Sequence, residues 1–270
     1  MCDVLNVPTS SFYEWRDRLP SKRQEEDVEL SQKIKMVFDE SDSTYGYLRI
    51  WKEFLKQGVS CGKHRIGRLM RANGWYVRVR RRVKTTTKSN PAHQKMANLL
   101  NQNFKATRMN EKWTSDITYI RTGEGWLYLA VVLDLFSRRV VGWAMDKCME
   151  ADLVTNALKM AIEQRDISAD LLAHSDQGSQ YTGHIYQNLL QANDITVSMS
   201  RRGNCYDNAV TESFFGTLKT ERVHRRHYAS RQDAMLDIFT YIEGWYNTHR
   251  SHSTLGYLSP AEFEQKFGAI

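Results

Sequence analysis

The feature that most constrains the fold is a β-rich block between Glu111 and Met145. The run WTSDITYI alternates apolar and polar residues, and the runs WLYLAVVLDLF and RRVVGWAM that follow are rich in branched and aromatic residues. Runs of this kind predict β-strands. Helical spacing then recurs, with the short strand-like runs LLAHSDQG and DITVSMS in between, over 151–164, 183–193, 209–222 and 231–248. Three strands followed by alternating helices and strands predict an α/β fold, with a mixed five-stranded sheet covered by helices.

The N-terminal part instead shows the spacing of three short helices. Apolar residues recur at helical intervals over 27–39 and 47–55, and again within GKHRIGRLMRANGW. Three short helices with a basic last helix are the layout of a helix-turn-helix, so we predict a small all-α DNA-binding domain over 27–85. The basic side chains of the third helix lie opposite its apolar ones and are predicted to contact DNA: Lys63, Arg65, Arg68 and Arg71.

Residues 1–26 are predicted to form a separate N-terminal helical segment. The piece NVPTSSFYEW has a turn, a Ser/Thr cap and then a short helix that carries aromatic residues. Two interpretations remain open for it. It is either the second half of a helix-turn-helix whose first helix would precede Met1, or a frayed terminal helix.

The positive charge of the chain is concentrated in its first 107 residues. The net charge of +7 divides into +10 for 1–107, with 21 basic and 11 acidic residues, and −3 for 108–270, with 17 and 20. No acidic residue occurs between Phe54 and Asn110. Because each cation placed on a phosphate releases counterions, this favours a nucleic acid partner over a plain basic surface. We predict a flexible basic linker over 86–107 and, just before it, DNA contacts by Arg80, Arg81 and Arg82.

The composition does not indicate a secreted or membrane protein. No apolar run approaches the roughly 20 residues that cross a bilayer. The N-terminus has no signal-peptide pattern, and the four cysteines are scattered, with no pair at the spacing of a zinc site. We therefore expect a cytoplasmic, reducing setting and no membrane partner.

Three acidic residues lie where an acid is costly. Asp116 falls inside the first strand, Asp176 ends the apolar strand LLAHSDQG, and Glu212 begins a helix in DNAVTESFF. An acid facing the core costs several kcal/mol unless a partner or a metal neutralises it. Each one alone is explained by a cap or a turn. Together they predict a Mg²⁺ or Mn²⁺ site, which suits in-line displacement at phosphorus by two metal ions about 4 Å apart.

The motifs around these acids resemble a known family. The runs WLYLAVVLDLFSRRVVGW, HSDQGSQY and SRRGNCYDNAVTESFFGTLKTE resemble the catalytic core of retroviral-type integrases and transposases. Between Asp176 and Glu212 lie 35 residues, which is the D-D-35-E spacing of that family. The ending WYNTHRSHSTLGYLSPAEFE resembles the large open-reading-frame product of the IS3 family of insertion sequences.

This resemblance implies an RNase H-like core over 108–225, a C-terminal helical extension over 226–270, and a DDE triad formed by Asp116, Asp176 and Glu212. It implies a transposase that cleaves and joins DNA at insertion-sequence ends. Mg²⁺ is the implied cofactor, replaceable by Mn²⁺, with two ions present when DNA is bound. The implied partners are terminal inverted repeats, target DNA, further copies of the chain on paired ends, and the product of an upstream small reading frame. The bacterial nucleoid is the implied location.

Further residues near the triad have functional and structural alternatives. Lys219 lies two helical turns after Glu212, so it either holds the DNA end or is a surface lysine. Asn208 orients a carboxylate or contacts DNA, and His174 supports the metal ligands or is packed. Gly178 lets the backbone approach the metal or a phosphate. The C-terminal motif, with Arg250 as a predicted DNA contact, binds end DNA or braces the catalytic helix.

Two other classes of function remain open. One is a DNA-binding regulator derived from a transposase and inactive without its upstream fusion partner. The other is an RNase H-like nuclease without strand transfer. The three costly acids favour the active enzyme, and the basic N-terminal domain argues against the plain nuclease. Asp134, in VLDLF, resembles a structural aspartate of the family and is not predicted as a ligand.

Overall fold

The structure, a computed structural model, divides into two units, residues 1–78 and 79–270. It describes residues 2, 4, 7–77, 97–167, 170–201 and 205–268. None of the helices within these ranges is long and apolar enough to cross a membrane.

The first unit is helical, as predicted. Its helices are α1 (Thr9–Asp17), α2 (Lys22–Glu40), α3 (Tyr47–Lys56) and α4 (Lys63–Ala72). Helix α2 begins five residues before the predicted start, because Ser21 and Gln24 form a capping box that satisfies the first amides. Helix α1 buries none of its side chains. The other three helices share an apolar core made of Leu30, Ile34, Val37, Phe38, Ile50, Phe54, Ile66, Leu69 and Met70.

The second unit contains five strands and six helices among its described residues. The strands are β1 (Lys112–Thr122), β2 (Gly125–Asp134), β3 (Val140–Asp146), β4 (Leu172–Ser175) and β5 (Thr196–Met199). The helices are α5 (Ala151–Gln164), α6 (Ser179–Thr182), α7 (His184–Ala192), α8 (Ala209–Glu221), α9 (Arg231–Phe239) and α10 (Pro260–Phe267). A π-helical segment, Thr240–Tyr246, continues α9, and a 3-10 turn, Cys205–Asn208, precedes α8.

The five strands form one mixed sheet in the order β3-β2-β1-β4-β5. Strand β2 pairs antiparallel with both β1 and β3, whereas β4 pairs parallel with β1 and β5. The predicted mixed five-stranded sheet with flanking helices is therefore confirmed. It places β1, the strand that carries Asp116, between an antiparallel and a parallel neighbour.

The two faces of the sheet are both covered, which explains the continuous apolar run in β2. Leu129 and Val131 pack with α8, α9 and the π-helical segment, whereas the alternate residues Ala130 and Val132 pack with α5 and α7. Because successive side chains of a strand point to opposite faces, a strand buried on both faces needs apolar residues throughout.

Two boundaries differ from the sequence prediction. Residues 97–107, predicted to belong to a flexible linker, lie against the sheet: Leu100 is buried, and its amide donates to Ser198 Oγ of β5 over 3.1 Å. Residues 78–96, which hold Arg80, Arg81 and Arg82, lie outside the described residues. The predicted C-terminal extension packs into the same core as α8, through Ile238, Ile242 and other side chains.

Candidate active site

Two of the three predicted acids meet because β1 and β4 are parallel neighbours. The register pairs Thr114 with His174. Asp116 lies two residues beyond Thr114, and Asp176 lies two residues beyond His174, so the same register brings the two acids side by side. Asp176 directly follows Ser175, the last residue of β4. The pair therefore lies at the carboxyl end of β4, where open α/β sheets bind their ligands.

Helix α8 brings the third acid to the same face of the sheet. Thr211 Oγ1 lies 2.7 Å from Thr114 Oγ1 and 3.0 Å from Asn208 Oδ1. The side-chain amide of Asn208 donates to the backbone carbonyl of Ser115 over 3.1 Å. These bonds fix the start of α8 against β1. Glu212 follows Thr211 in the first turn of the helix and is exposed.

The electrostatics of the site show that the carboxyl groups repel one another. Burial, reinforced by Asp176 and Glu212, raises the pKa of Asp116 to about 8, although the Ile117 amide and Lys219 oppose the shift. Burial also raises the pKa of Asp176, against the hydrogen bond from a backbone amide. The negative form of this site is therefore poorly compensated by the protein itself, as expected of a group that binds cations.

The donor set fits a hard divalent cation. Carboxylate oxygens are the ligands that Mg²⁺ and Mn²⁺ prefer. A bound cation would relieve the repulsion that raises the pKa of Asp116. Within the described residues, however, no group of three His, Cys, Asp or Glu side chains stands close enough to form a ready-made metal site. The three acids are neighbours in this structure but do not form a complete set of metal ligands.

The structure gives each predicted supporting residue a definite contact. The ammonium of Lys219 lies 4.7 Å from the ring centre of Tyr119 and interacts favourably with Asp116. Gly178 donates its amide to Asp176 Oδ1 over 2.9 Å, and a Cβ atom at Gly178 would lie only 2.9 Å from the same oxygen. A side chain at this position would therefore displace that carboxylate oxygen. His174 is packed: its Nδ1 lies 2.8 Å from Ser198 Oγ, and burial lowers its pKa to about 4.

Asp134 has an internal structural role. Its carboxylate accepts hydrogen bonds from the amides of Asn110 and Phe136. Arg165 lies 3.3 Å from it and also bonds Glu264 of α10 over 2.7 Å. The aspartate thus joins the end of β2 to the C-terminal helix, away from the triad.

Arg250, predicted as a DNA contact, lies instead inside the protein. It is 5% exposed, and its guanidinium donates two bonds to Glu221 at the end of α8, of 2.8 and 2.6 Å. Tyr241 donates a third bond to the same carboxylate over 2.8 Å, and the Tyr246 ring lies 4.7 Å from that of Phe214 on α8. The C-terminal motif therefore packs against α8, the helix that carries Glu212, which is the bracing alternative.

The basic residues of α4 divide into two groups. Arg65 and Arg68 both bond Asp27 of α2, over 2.7 and 2.5 Å, and these bonds hold the pKa of Asp27 below its usual value. They join α4 to α2. Lys63 is exposed, and the guanidinium of Arg71, also exposed, donates to the carbonyl of Gly67. Lys63 and Arg71 are thus the better placed of the four for contact with DNA.

Four other polar residues shape the site without having been singled out from the sequence. Thr211 and Glu221 are polar positions on the buried face of α8, and that placement is the signal that could have identified them. Asp207 is fully buried and accepts hydrogen bonds from the side chains of Asn98 and Gln102, and these bonds join the segment before β1 to the turn before α8.

The buried hydroxyl of Tyr181 has no hydrogen-bond partner among the described residues, and both Asp116 and Asp176 interact with it electrostatically.

Comparison with known proteins places this geometry in a family. Residues 106–205 and 193–260 each match a family described as Integrase core domain, and residues 24–83 match the HTH-like domain family. The fold resembles a chain of the simian T-cell lymphotropic virus intasome solved in complex with PP2A regulatory subunit B56 gamma. The TM-score is 0.50 at 18% identity, over 64% of this chain and 60% of that one.

Two full-length relatives are more similar in sequence. The transposase for insertion sequence element IS904 of Lactococcus lactis is 45% identical, over 92% of this chain and 98% of the relative. Transposase InsF for insertion sequence IS3A of Escherichia coli K12 is 40% identical, over 98% of this chain and 93% of the relative. With identity at this level over nearly its whole length, the chain belongs to the IS3 family of insertion-sequence transposases.

Proposed function

We propose that this protein cleaves DNA at the ends of its insertion sequence and joins those ends to target DNA, with Asp116, Asp176 and Glu212 as the metal-binding triad. Family membership already gives a polynucleotidyl-transferase type of enzyme in a divalent-metal-dependent family. The observation that carries the finer proposal is that the register of β1 and β4, continued by two residues, sets Asp116 beside Asp176, and that Asp176 and Glu212 both act on the Asp116 carboxyl. A structural acid has no need of two acidic neighbours.

The reaction is a displacement at phosphorus, in which a water or a DNA 3′-hydroxyl attacks and a DNA oxygen leaves. When bound, Mg²⁺ activates the attacking oxygen and neutralises the leaving oxygen, and a pair of ions does both at once. Mn²⁺ takes the same oxygen ligands and is expected to replace it. The triad carboxylates would hold the ions, and DNA phosphate oxygens would complete the ligand set.

The other residues of the site position these groups. The amide of Gly178 fixes one oxygen of Asp176 and leaves the other for a ligand. Asn208 fixes the height of α8 above β1, and thereby the place of Glu212. Lys219 lies on α8 two turns after Glu212 and interacts favourably with Asp116, and there its charge would hold a phosphate of the DNA end.

A strand-transfer assay tests the proposal directly. Duplexes that carry the terminal repeats flanking the coding sequence are incubated with the full chain in Mg²⁺, Mn²⁺, Ca²⁺ or EDTA. We expect cleavage and joining in Mg²⁺ and Mn²⁺, end binding with little chemistry in Ca²⁺, and no reaction in EDTA, because Ca²⁺ has a larger and less regular ligand shell. Binding without cleavage in every metal would indicate the regulator, and cleavage without joining would indicate a plain nuclease.

The working assembly is part of the same proposal. Two ends must be processed together, so we propose that at least two chains act on paired ends, with the upstream reading-frame product as a further partner. Sizing of the reaction mixture with and without end DNA checks this. An active complex that contains one chain would contradict it.

We also propose that the first unit binds the ends through the exposed cations of α4. The double variant Lys63→Gln/Arg71→Gln is expected to weaken end binding about tenfold at moderate salt and to reduce the slope of log affinity against log salt by about 2, since each phosphate contact contributes about 1. Fluorescence anisotropy across a salt series measures both quantities.

The matched control for this variant is Lys35→Gln. Lys35 lies on α2 of the same unit and is ion-paired with Asp39. The substitution removes a positive charge from another part of the unit, so the slope of log affinity against log salt should stay unchanged. An equal loss in the control would mean that the binding depends on total charge and not on α4.

A further inference from the structure

An exposed aromatic pair lies on the hairpin formed by β1 and β2. The rings of Tyr119 and Trp126 meet edge to face with their centres 5.1 Å apart. Strand register makes them diagonal neighbours, because Tyr119 pairs with Tyr128, and Trp126 pairs with Arg121. Each residue is about half exposed, at 51% and 47%. Within the described residues, they form a two-ring aromatic surface open to solvent.

Cross-strand packing explains the contact between the rings but not their exposure. An aromatic pair on a hairpin contributes modestly to the stability of the sheet. The same contact would form if the rings were covered by a neighbouring element. Two adjoining aromatic rings left half exposed form a contiguous apolar surface, and contiguous exposed apolar surface is where proteins bind ligands and partners.

The backbone under this pair is held in place. The carbonyl of Trp126 accepts a bond of 3.0 Å from Arg231 Nε, and the amide of Gly123 in the hairpin turn donates to the carbonyl of Tyr228. A Cβ atom at Gly123 would lie 2.4 Å from the carbonyl oxygen of Ala229, so the turn fits closely against that segment. The rings are therefore presented by a rigid hairpin and not by a loop.

One cation joins the pair to the acids. The ammonium of Lys219 lies over the Tyr119 ring, 4.7 Å from its centre, and interacts favourably with Asp116. Asp116 precedes Tyr119 by three residues on β1, which corresponds to about 10 Å along a strand. The two side chains point to opposite faces of the strand, and Lys219, which interacts with both, joins the ring face to the triad over the span of roughly one or two nucleotides.

We propose that Tyr119 and Trp126 form a stacking platform for an unpaired nucleobase of the DNA end, while Lys219 contacts a phosphate of the same strand. Every base has a π-face, so stacking on aromatic side chains binds unpaired bases with little sequence preference. The polyanionic backbone complements the cation beside the ring. This inference rests on the proposed function, and it adds that the terminal bases are separated from their partners when the end enters the site.

A fluorescent base analogue tests the platform. End duplexes carry 2-aminopurine as the terminal nucleotide, either paired or in a short unpaired overhang, and each is titrated with the full chain in Ca²⁺. Stacking on the rings is expected to quench the unpaired analogue several-fold. Tyr119→Ala and Trp126→Ala should each lose most of this quenching and bind the overhang duplex roughly 5- to 100-fold more weakly, which is the usual effect of removing one stacking residue.

Two further variants separate stacking from folding. Tyr119→Phe retains the ring and should restore both quenching and affinity. Phe239→Ala removes another exposed aromatic side chain, on α9, and should leave both unchanged. If both alanine variants quench and bind as the wild type does, the platform is wrong. It is also wrong if they weaken paired and unpaired ends equally, or if they change only the sizing profile, which would indicate a protein partner on this surface.

The strand-transfer assay keeps this inference distinct from the proposed function. If the wild-type chain joins ends but no quenching occurs, only the platform fails. If the wild type joins no ends in any metal, the proposed function fails, whatever the analogue reports.

Discussion

Asp116→Asn, Asp176→Asn and Glu212→Gln are each expected to reduce cleavage and strand transfer roughly a thousandfold or more, because groups that act as one catalytic unit lose nearly all activity when any one is removed. Each change keeps the shape of the side chain and removes the charge that a cation requires. End-DNA binding should stay within about twofold, since phosphate contacts position the DNA and lie elsewhere. The strand-transfer assay and anisotropy titrations measure the two effects side by side.

The inactive Asp116→Asn variant should be folded, and its stability should show how much the ionised Asp116 carboxylate destabilises the metal-free protein. The pKa of Asp116 is about 8 in the folded protein and 3.8 in the unfolded chain. Between these values the folded state binds more protons, so stability falls as pH rises from about 4 to 8. Without divalent ions, Asp116→Asn is therefore expected to be more stable than the wild type at pH 8, by a few kcal/mol at most, with little difference near pH 4.

Asp134→Asn is the matched control for these variants. Asp134 is fully buried and bonds Asn110, Phe136 and Arg165, away from the triad. Burial raises the pKa of Asp134 as well, to about 6, so we expect its substitution to change stability with pH over a narrower range than Asp116→Asn does, and to keep its activity per folded molecule. Denaturant unfolding at both pH values, beside the activity assay, gives the comparison. Turnover within tenfold of the wild type in any triad variant would remove that residue from the triad.

The strands of the sheet follow from local sequence, and the meeting of the first two acids follows once two of those strands are paired. Alternation and branched residues determine β1 to β3, and the apolar run of β2 already indicates burial on both faces. Once β4 is paired parallel to β1, the adjacency of Asp116 and Asp176 needs only the register. The position of Glu212 is less local, because it depends on Asn208 and Thr211 bonding a distant strand.

The predictions that differ from the structure involve contacts between residues far apart in the chain. Leu100 lies in a polar stretch that resembles a linker, and its backbone amide donates a hydrogen bond to the hydroxyl of Ser198, nearly a hundred residues later. Arg65 shows the basic pattern of a DNA-reading helix, but its partner Asp27 lies on another helix. A local pattern shows which side chains are charged and does not show which of them will be neutralised inside the fold.

Arg250→Met is expected to lower the free energy of unfolding by about 3–5 kcal/mol, because removing one partner of a buried pair leaves the other charge uncompensated. The lost bonds are the two that Arg250 donates to Glu221, whose carboxylate also accepts a bond from Tyr241. Although burial works against it, the bonded Glu221 holds the pKa of Arg250 above its usual value, so the guanidinium is charged in the native protein.

This variant distinguishes the two roles that the C-terminal motif suggests for Arg250, which are support of α8 and contact with DNA. If Arg250 only braces α8, the double variant Glu221→Gln/Arg250→Met should recover part of the lost stability, since no buried charge remains. The exposed Arg121→Met should stay within about 0.5 kcal/mol of the wild type. End binding by the folded fraction of Arg250→Met should then equal that of the wild type. A variant of unchanged stability and weakened end binding would instead restore Arg250 to the DNA interface, and it would mean that α8 keeps Glu212 in place without this pair.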